Sequence, residues 1–397
     1  MKMYKLGEDT IAKGQDIWMG IDAHKQSLHV TVLGAEEVLY RETIPCERSH
    51  LEGVIELFPD CQIEATYESG PTGYKLLYWL QDLGCQAFIT PSTKVKQDKG
   101  GKLVKTDSRD SLELAEQLRG GMLKQVYDHG RGHYRQRELT RTRQQLVEHR
   151  SAICNQIKSK LTFHGIEVPE GISTRWSKDF LVWLEEEPTG DRWLDASLES
   201  LTQTYRDLSE QIEELEDELE RLASCTKPRS EDEQLADEEL FEFDHWVELL
   251  MTVPGIGFLS AMVLVLELGD LGRFETTEEF ASYLGLIPGE WSSGQTQSKR
   301  SMTRWGNRRA RTVLVEASWT LISKDARMRD VYERIKAKSG SGRAICAVAR
   351  RLGLAIRAML RDRSPYQCNH PAEEREDLEE ADNQPARVDQ RRSSPSS

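Results

Sequence analysis

The sequence predicts an α/β domain near the N-terminal end and a mainly helical remainder. Three observations carry this. Residues 18–33 alternate apolar and polar side chains on both sides of a turn at residues 23–26, the period of a half-buried β-hairpin. Strand-length apolar runs then alternate with helix-length runs as far as residue 118. From residue 134 onward the periodic stretches have helical spacing.

The elements follow in order. Residues 1–16 are polar and are expected to be loose. After the hairpin come a third strand near 37–42, a helix at 48–57, a strand at 61–68, a helix at 74–83, a strand at 85–89 and a helix at 107–118. Three strands that can meander, followed by alternating helix and strand, is the order of the ribonuclease-H-like fold. Other α/β sandwiches satisfy the same periodicity.

Residues 134–165 and 190–224 read as long helices. In the second, Leu194, Leu198, Leu201, Tyr205, Leu208, Ile212, Leu215, Leu219 and Leu222 alternate spacings of four and three, a coiled-coil seam. The first offers Leu139, Leu146, Ile153, Ile157 and Leu161. The two helices pair within one chain or bring protomers together. Arg135, Arg137, Arg141, Arg143 and Arg150 on the first form either a solvated face or a nucleic-acid contact. Between the helices, residues 165–189 are turn-rich and carry Trp176 and Trp183, and residues 226–237 form an acidic linker.

Pro254-Gly255-Ile256-Gly257, between two helical runs, resembles a helix-hairpin-helix, in which glycines let backbone N–H groups approach a phosphate. A helix through residue 322 and another at 341–361, with Arg343, Arg350, Arg351 and Arg357, follow. The tail from 364 is rich in Pro, Glu, Asp, Asn and Ser and reads as disordered. The expected domains are 17–125, 126–225 (coiled-coil helices), 244–363 and the tail 364–397.

A formal charge of -14 over 397 residues argues against a simple DNA-coating protein, but the signs are segregated. Acids crowd 185–244 and the tail; Lys and Arg crowd 131–160 and 299–363, enough for a local phosphate-binding surface. Seven scattered cysteines without a C-x-x-C pair give neither a zinc site nor a disulfide framework and suggest a reducing cytosol. No signal peptide is visible, and the longest apolar run, residues 258–266, is too short to span a bilayer, so a cytoplasmic protein without a membrane partner is expected.

The candidate chemistry lies first in four carboxylates. Asp22 closes the apolar run of the first strand, and Glu68 precedes the turn Ser-Gly-Pro-Thr-Gly at the end of another. Open α/β sheets place their sites at such edges. Asp107 and Asp110 are three apart at a helix start and project from one face. Each also has a structural reading, as turn former, helix cap or dipole partner. Four oxygen ligands suit hard Mg2+ ions, and two such ions about 4 Å apart clamp the attacking and leaving oxygens of a phosphodiester displacement. Glu64, on the same strand face, is the rival to Glu68. His24 and His29 read as turn and strand-face residues rather than ligands. Second, Ser292 and Ser293 precede Gly294 and a tract without acids that holds Lys299, Arg300, Arg304, Arg308, Arg309 and Arg311. A serine there is a candidate nucleophile in a phosphate pocket, or an ordinary loop residue.

Set side by side, GIDAHK (20–25), YESGPTGY (67–74), VKTDSRD (104–110), LMTVPGIG (250–257), YLGLIPGEWSSG (283–294) and MTRWGNRRAR (302–311) closely resemble the transposases of the insertion sequence 110 family, nearest its 1111 subgroup. The resemblance implies an N-terminal RuvC-like DEDD domain and a C-terminal serine domain. It implies Asp22, Glu68, Asp107 and Asp110 as a Mg2+-binding tetrad and Ser293, directly before Gly294, as nucleophile. It further implies cutting and rejoining of DNA through a phosphoserine link, a structured guide RNA from the element's own end, and a dimer of dimers. The acidic stretch at 226–244 and the acidic tail depart from the family pattern. Two rival functions remain: a hydrolytic RuvC-like nuclease or junction resolvase without a covalent intermediate, and a non-enzymatic nucleic-acid-binding scaffold.

Overall fold

The computed structural model describes residues 14–70, 72–91, 107–186, 189–224, 243–293, 296–302 and 306–368. The acidic linker at 226–237, residues 1–13 of the expected loose start and residues 369–397 of the expected tail lie outside the described residues, while the tail's first residues, 364–368, are held to the fold by the Tyr366 hydroxyl donating to Asp325 at 2.9 Å. The chain divides into two compact units, Met1–Asp128 and His129–Ser397.

In the first unit, β1 (Asp16–Ala23), β2 (Ser27–Leu33) and β3 (Val38–Pro45) form an antiparallel meander. β4 (Gln62–Glu68) and β5 (Gln86–Thr90) add in parallel beside β1, giving the order β3-β2-β1-β4-β5. This mixed sheet is the expected ribonuclease-H-like arrangement. α1 (Arg48–Ile55) and α2 (Lys75–Asp82) close one face, where Ile17, Met19, Ile21, Val30, Tyr67, Leu51 and Leu77 share a core.

The other face carries α3 (Asp107–Arg119). Gly20 makes its seating possible: a Cβ there would collide with the backbone of Ser111 and Ala115. Thr31, opposite Gly20 in the sheet, hydrogen-bonds Ser111 at 2.9 Å between hydroxyl oxygens. Arg119 at the far end of α3 donates to the carbonyls of Gly34 and Ala35, just beyond β2, at 3.1 and 2.9 Å. The helix therefore runs with β2 and against β1.

Among its described residues the second unit is helical apart from one hairpin. α4 (Arg131–Phe163) and α6 (Arg192–Ala223) lie antiparallel within the chain. Arg143 bonds Glu216, and further along Arg150 bonds Ser209, so positions rise on one helix as they fall on the other. The region between them, expected to be turn-rich, also holds a helix, α5 (Lys178–Glu186). Phe180 and Trp183 on α5 pack with Trp176 against Ile157, Leu161 and Leu198.

The remainder is α7 (Phe243–Met251), α8 (Phe258–Leu268), α9 (Thr277–Tyr283), the hairpin β6 (Pro288–Ser293) and β7 (Thr296–Met302), α10 (Arg308–Lys324), α11 (Ala326–Ser339) and α12 (Ser341–Asp362). One apolar core joins α8, α9, α10 and α12. No helix among the described residues is long and apolar enough to cross a membrane.

Candidate active site

The first unit brings three of the four sequence-derived acids to one end of the sheet. β1 and β4 are parallel, with Ile21 opposite Tyr67, so Asp22 and Glu68 follow side by side at adjacent strand ends. Ile21 and Tyr67 point into the core with α1 and α2. By alternation Asp22 and Glu68 belong to the α3 face. α3 runs against β1, so its N-terminal turn lies toward that same end. Asp110, one residue before Ser111, is half-buried there; the side chain of Asp107 lies outside the described residues. Glu64 sits opposite Trp18, four residues back along the strand from Glu68. That is about 13 Å away, so Glu68 is the better companion for Asp22.

His24 and His29, read as turn and strand-face residues, both lie beside Asp22. His29 is opposite Asp22 across β1 and β2, and its Nδ1 lies 2.7 Å from Thr43 Oγ1. His24 Nε2 lies 3.3 Å from Asp22 Oδ2, and the two rings meet edge-to-face at 5.6 Å. His24 follows directly on β1 and His29 is brought over by the β1–β2 register, which sequence spacing alone does not give.

Among the described side chains, which exclude Asp107, no three His, Cys, Asp or Glu groups gather closely enough to hold an ion. The donor set at this end is nonetheless carboxylate oxygen beside a helix N-terminus. That chemistry fits a hard divalent cation, with the helix end offsetting part of the clustered negative charge.

In the second unit Ser293 closes β6, and its register partner is Thr296 on β7. A β-hairpin thus stands where a Ser-Ser-Gly loop was read. The hairpin side chains, with Ser293, Lys299 and Arg300 among them, and Arg304 lie outside the described residues. Lys299 is opposite Glu290 in register. Of the remaining basic tract, Arg308 is exposed at the start of α10, Arg309 is half-buried, and Arg311 donates to the Gly285 carbonyl at 3.5 Å.

Four of the five α4 arginines have partners within the fold. Arg141 makes a two-pronged bond to Glu267, Arg143 pairs with Glu216, Arg150 bonds Ser209, and Arg137 lies over the Tyr134 ring at 4.6 Å. Of the five, Arg135 is exposed and the other four are half-buried. In the helix-hairpin-helix candidate, Gly255 has φ +93 and a Cβ there would lie 2.8 Å from the Ala317 carbonyl. Its role is close packing on α10, while Gly257 at the start of α8 faces open space.

The family model described as "Transposase IS116/IS110/IS902 family" matches residues 247–333, and the DEDD model for IS110, described as "Transposase", matches residues 19–166. The chain belongs to the IS110 transposase family. Relatives include the protein y4qE of Sinorhizobium fredii, 30% identical over 260 residues, 64% of this chain and 57% of that one. The IS1328 transposase of Yersinia enterocolitica is 31% identical over 180 residues, 45% of this chain and 48% of that one. The IS1111A transposase of Coxiella burnetii is 23% identical over 273 residues, 66% of this chain and 69% of that one. The chain thus spans about half the length of the first two relatives, 57% and 48%. Thermus thermophilus RuvC in complex with a Holliday junction substrate aligns at 12% identity over 28% of this chain and 99% of its own, with a TM-score of 0.22. The fold assignment of this IS110-family chain rests on its strand order.

Proposed function

We propose that this IS110-family chain is a DNA transposase that cuts and rejoins strands at the ends of an insertion sequence, with Ser293 as nucleophile and Asp22, Glu68, Asp107 and Asp110 as the carboxylate centre. The observation that carries it is the placing of Asp22 and Glu68 at adjacent strand ends, on the face and at the end where α3 begins.

The four carboxylates would hold Mg2+, which when bound neutralises charge on the phosphate and polarises its oxygens. The Ser293 hydroxyl attacks the scissile phosphorus. Its oxygen forms the new P–O ester, the sugar oxygen departs and takes up a proton, and the serine gives one up. One phosphodiester replaces another, so a strand end bearing a hydroxyl can reverse the step and rejoin the DNA. Lys299, Arg300, Arg304, Arg308, Arg309 and Arg311 supply positive charge around the phosphate. A structured RNA from the element as guide, and a dimer of dimers in which the tetrad of one protomer serves the serine of another, complete the reading.

The test uses DNA from the element junction with RNA transcribed from its noncoding flank. On denaturing gels the wild-type chain stays attached to one cut strand. Ser293→Ala loses the attachment and Asp22→Asn loses the cut. Free cut ends with an active Ser293→Ala variant would instead identify a hydrolytic nuclease.

A further inference from the structure

The β6–β7 hairpin lies between Tyr283 at the end of α9 and Asn307 at the start of α10. These two residues meet. The Asn307 backbone N–H donates to the Tyr283 carbonyl at 2.6 Å, and the Asn307 side-chain amide donates to the Tyr283 hydroxyl at 3.0 Å. The flanking backbones touch as well: a Cβ on Gly306, whose φ is +109, would fall 2.6 Å from the Gly285 nitrogen.

Both residues converge on Glu267 of α8, a carboxylate only 1% exposed in an otherwise apolar helix. The Tyr283 hydroxyl donates to the Glu267 carbonyl at 2.6 Å, and the Asn307 amide donates to Glu267 Oε2 at 2.8 Å. From the other side Arg141 of α4 donates Nε to Oε1 at 2.9 Å and Nη2 to Oε2 at 3.1 Å. A buried carboxylate is tolerated only when paired and hydrogen-bonded, and this one has both. An apolar residue would pack α8 as well, so core packing alone does not account for a charge at this position.

We propose that Glu267, Asn307, Tyr283 and Arg141 form a positioning latch that fixes the root of the Ser293 hairpin and ties it to α4. The latch rests on the reading of Ser293 as nucleophile for its purpose, but not for its structure. Asn307 also caps α10, accepting from the Ala310 N–H at 3.1 Å. The two roles separate by substitution. Asn307→Ser keeps a capping oxygen and deletes the amide donor, whereas Tyr283→Phe deletes only the hydroxyl. Glu267→Ala would strand Arg141 and is a poor probe.

The experiment measures backbone hydrogen exchange across residues 284–306 and across α8 in the full-length chain, beside adduct formation on element-junction DNA with its RNA. The expected result for Asn307→Ser and Tyr283→Phe is severalfold faster exchange in 284–306, unchanged exchange in α8, unchanged DNA affinity, and adduct formation slower by about 10- to 100-fold, the penalty of a misplaced reacting group. Unchanged exchange in 284–306 overturns the latch. So does equal loosening of α8, which would mark ordinary core support, or a loosened hairpin with full adduct rate. A wild-type chain that forms no adduct would remove the Ser293 reading, and the exchange pattern alone would then decide whether the latch exists.

Discussion

Asp22 was legible because it breaks an otherwise apolar strand, and Glu68 because a turn of glycine and proline must follow it. Their adjacency was not legible, since it depends on β4 joining β1 in parallel and in one particular register. Asp22→Asn keeps the shape and removes the charge. Cleavage should fall by roughly 1,000-fold or more, as for removal of a residue acting in a catalytic unit, with the melting temperature nearly unchanged. Glu64→Gln, four residues back along β4, should leave cleavage within about threefold of wild type by the same comparison of rate constants. His129 was not legible at all. Burial, helped by neighbouring Arg273, His133 and Arg137, pushes its pKa down from 6.5 to about 3, so the ring stays neutral in the fold. Arg273 donates to its Nε2 at 3.3 Å, as a neutral ring allows. The unfolded chain binds a proton below pH 6.5 that the folded chain refuses until about pH 3. Stability of this unit should therefore fall as pH drops through that window, by up to about 1.4 kcal/mol per pH unit from this group. Urea unfolding between pH 4 and 7.5 should show a shallower dependence in His129→Gln.

At the level of elements, the strand and helix order of residues 16–119 follows from hydrophobic period, because each element covers one face of a sheet. α3 sits over β1 because Gly20 has no side chain. Gly20→Val should push the helix away, cost about 1–3 kcal/mol and abolish cleavage. Gly53→Ala, in α1 with open space around its Cβ, should be neutral or stabilise by roughly 0.5–1 kcal/mol. Thermal melts of the two variants make the comparison. The β6–β7 hairpin was missed because its strands are short, polar and carry no alternating apolar face. The α4 arginines misled for a related reason: charge along a helix does not say which partner it meets. Arg141 and Arg143 meet acids far off in sequence, Glu267 and Glu216.

Over the whole molecule, a sheet unit carrying carboxylates and a helical unit carrying a serine hairpin are joined in one chain. Family membership was readable from six short motifs in order, each weak alone. The claim that both units act on one phosphodiester is the one on which the account turns. Its most direct measurement traps the full chain on element-junction DNA with its RNA, digests the product and maps any nucleotide-bearing peptide by mass. The account predicts one modified residue, Ser293, formed with Mg2+ present and lost when the metal is chelated or when Asp22 is replaced by Asn. Attachment at another residue, or at Ser293 without metal and without Asp22, would contradict it.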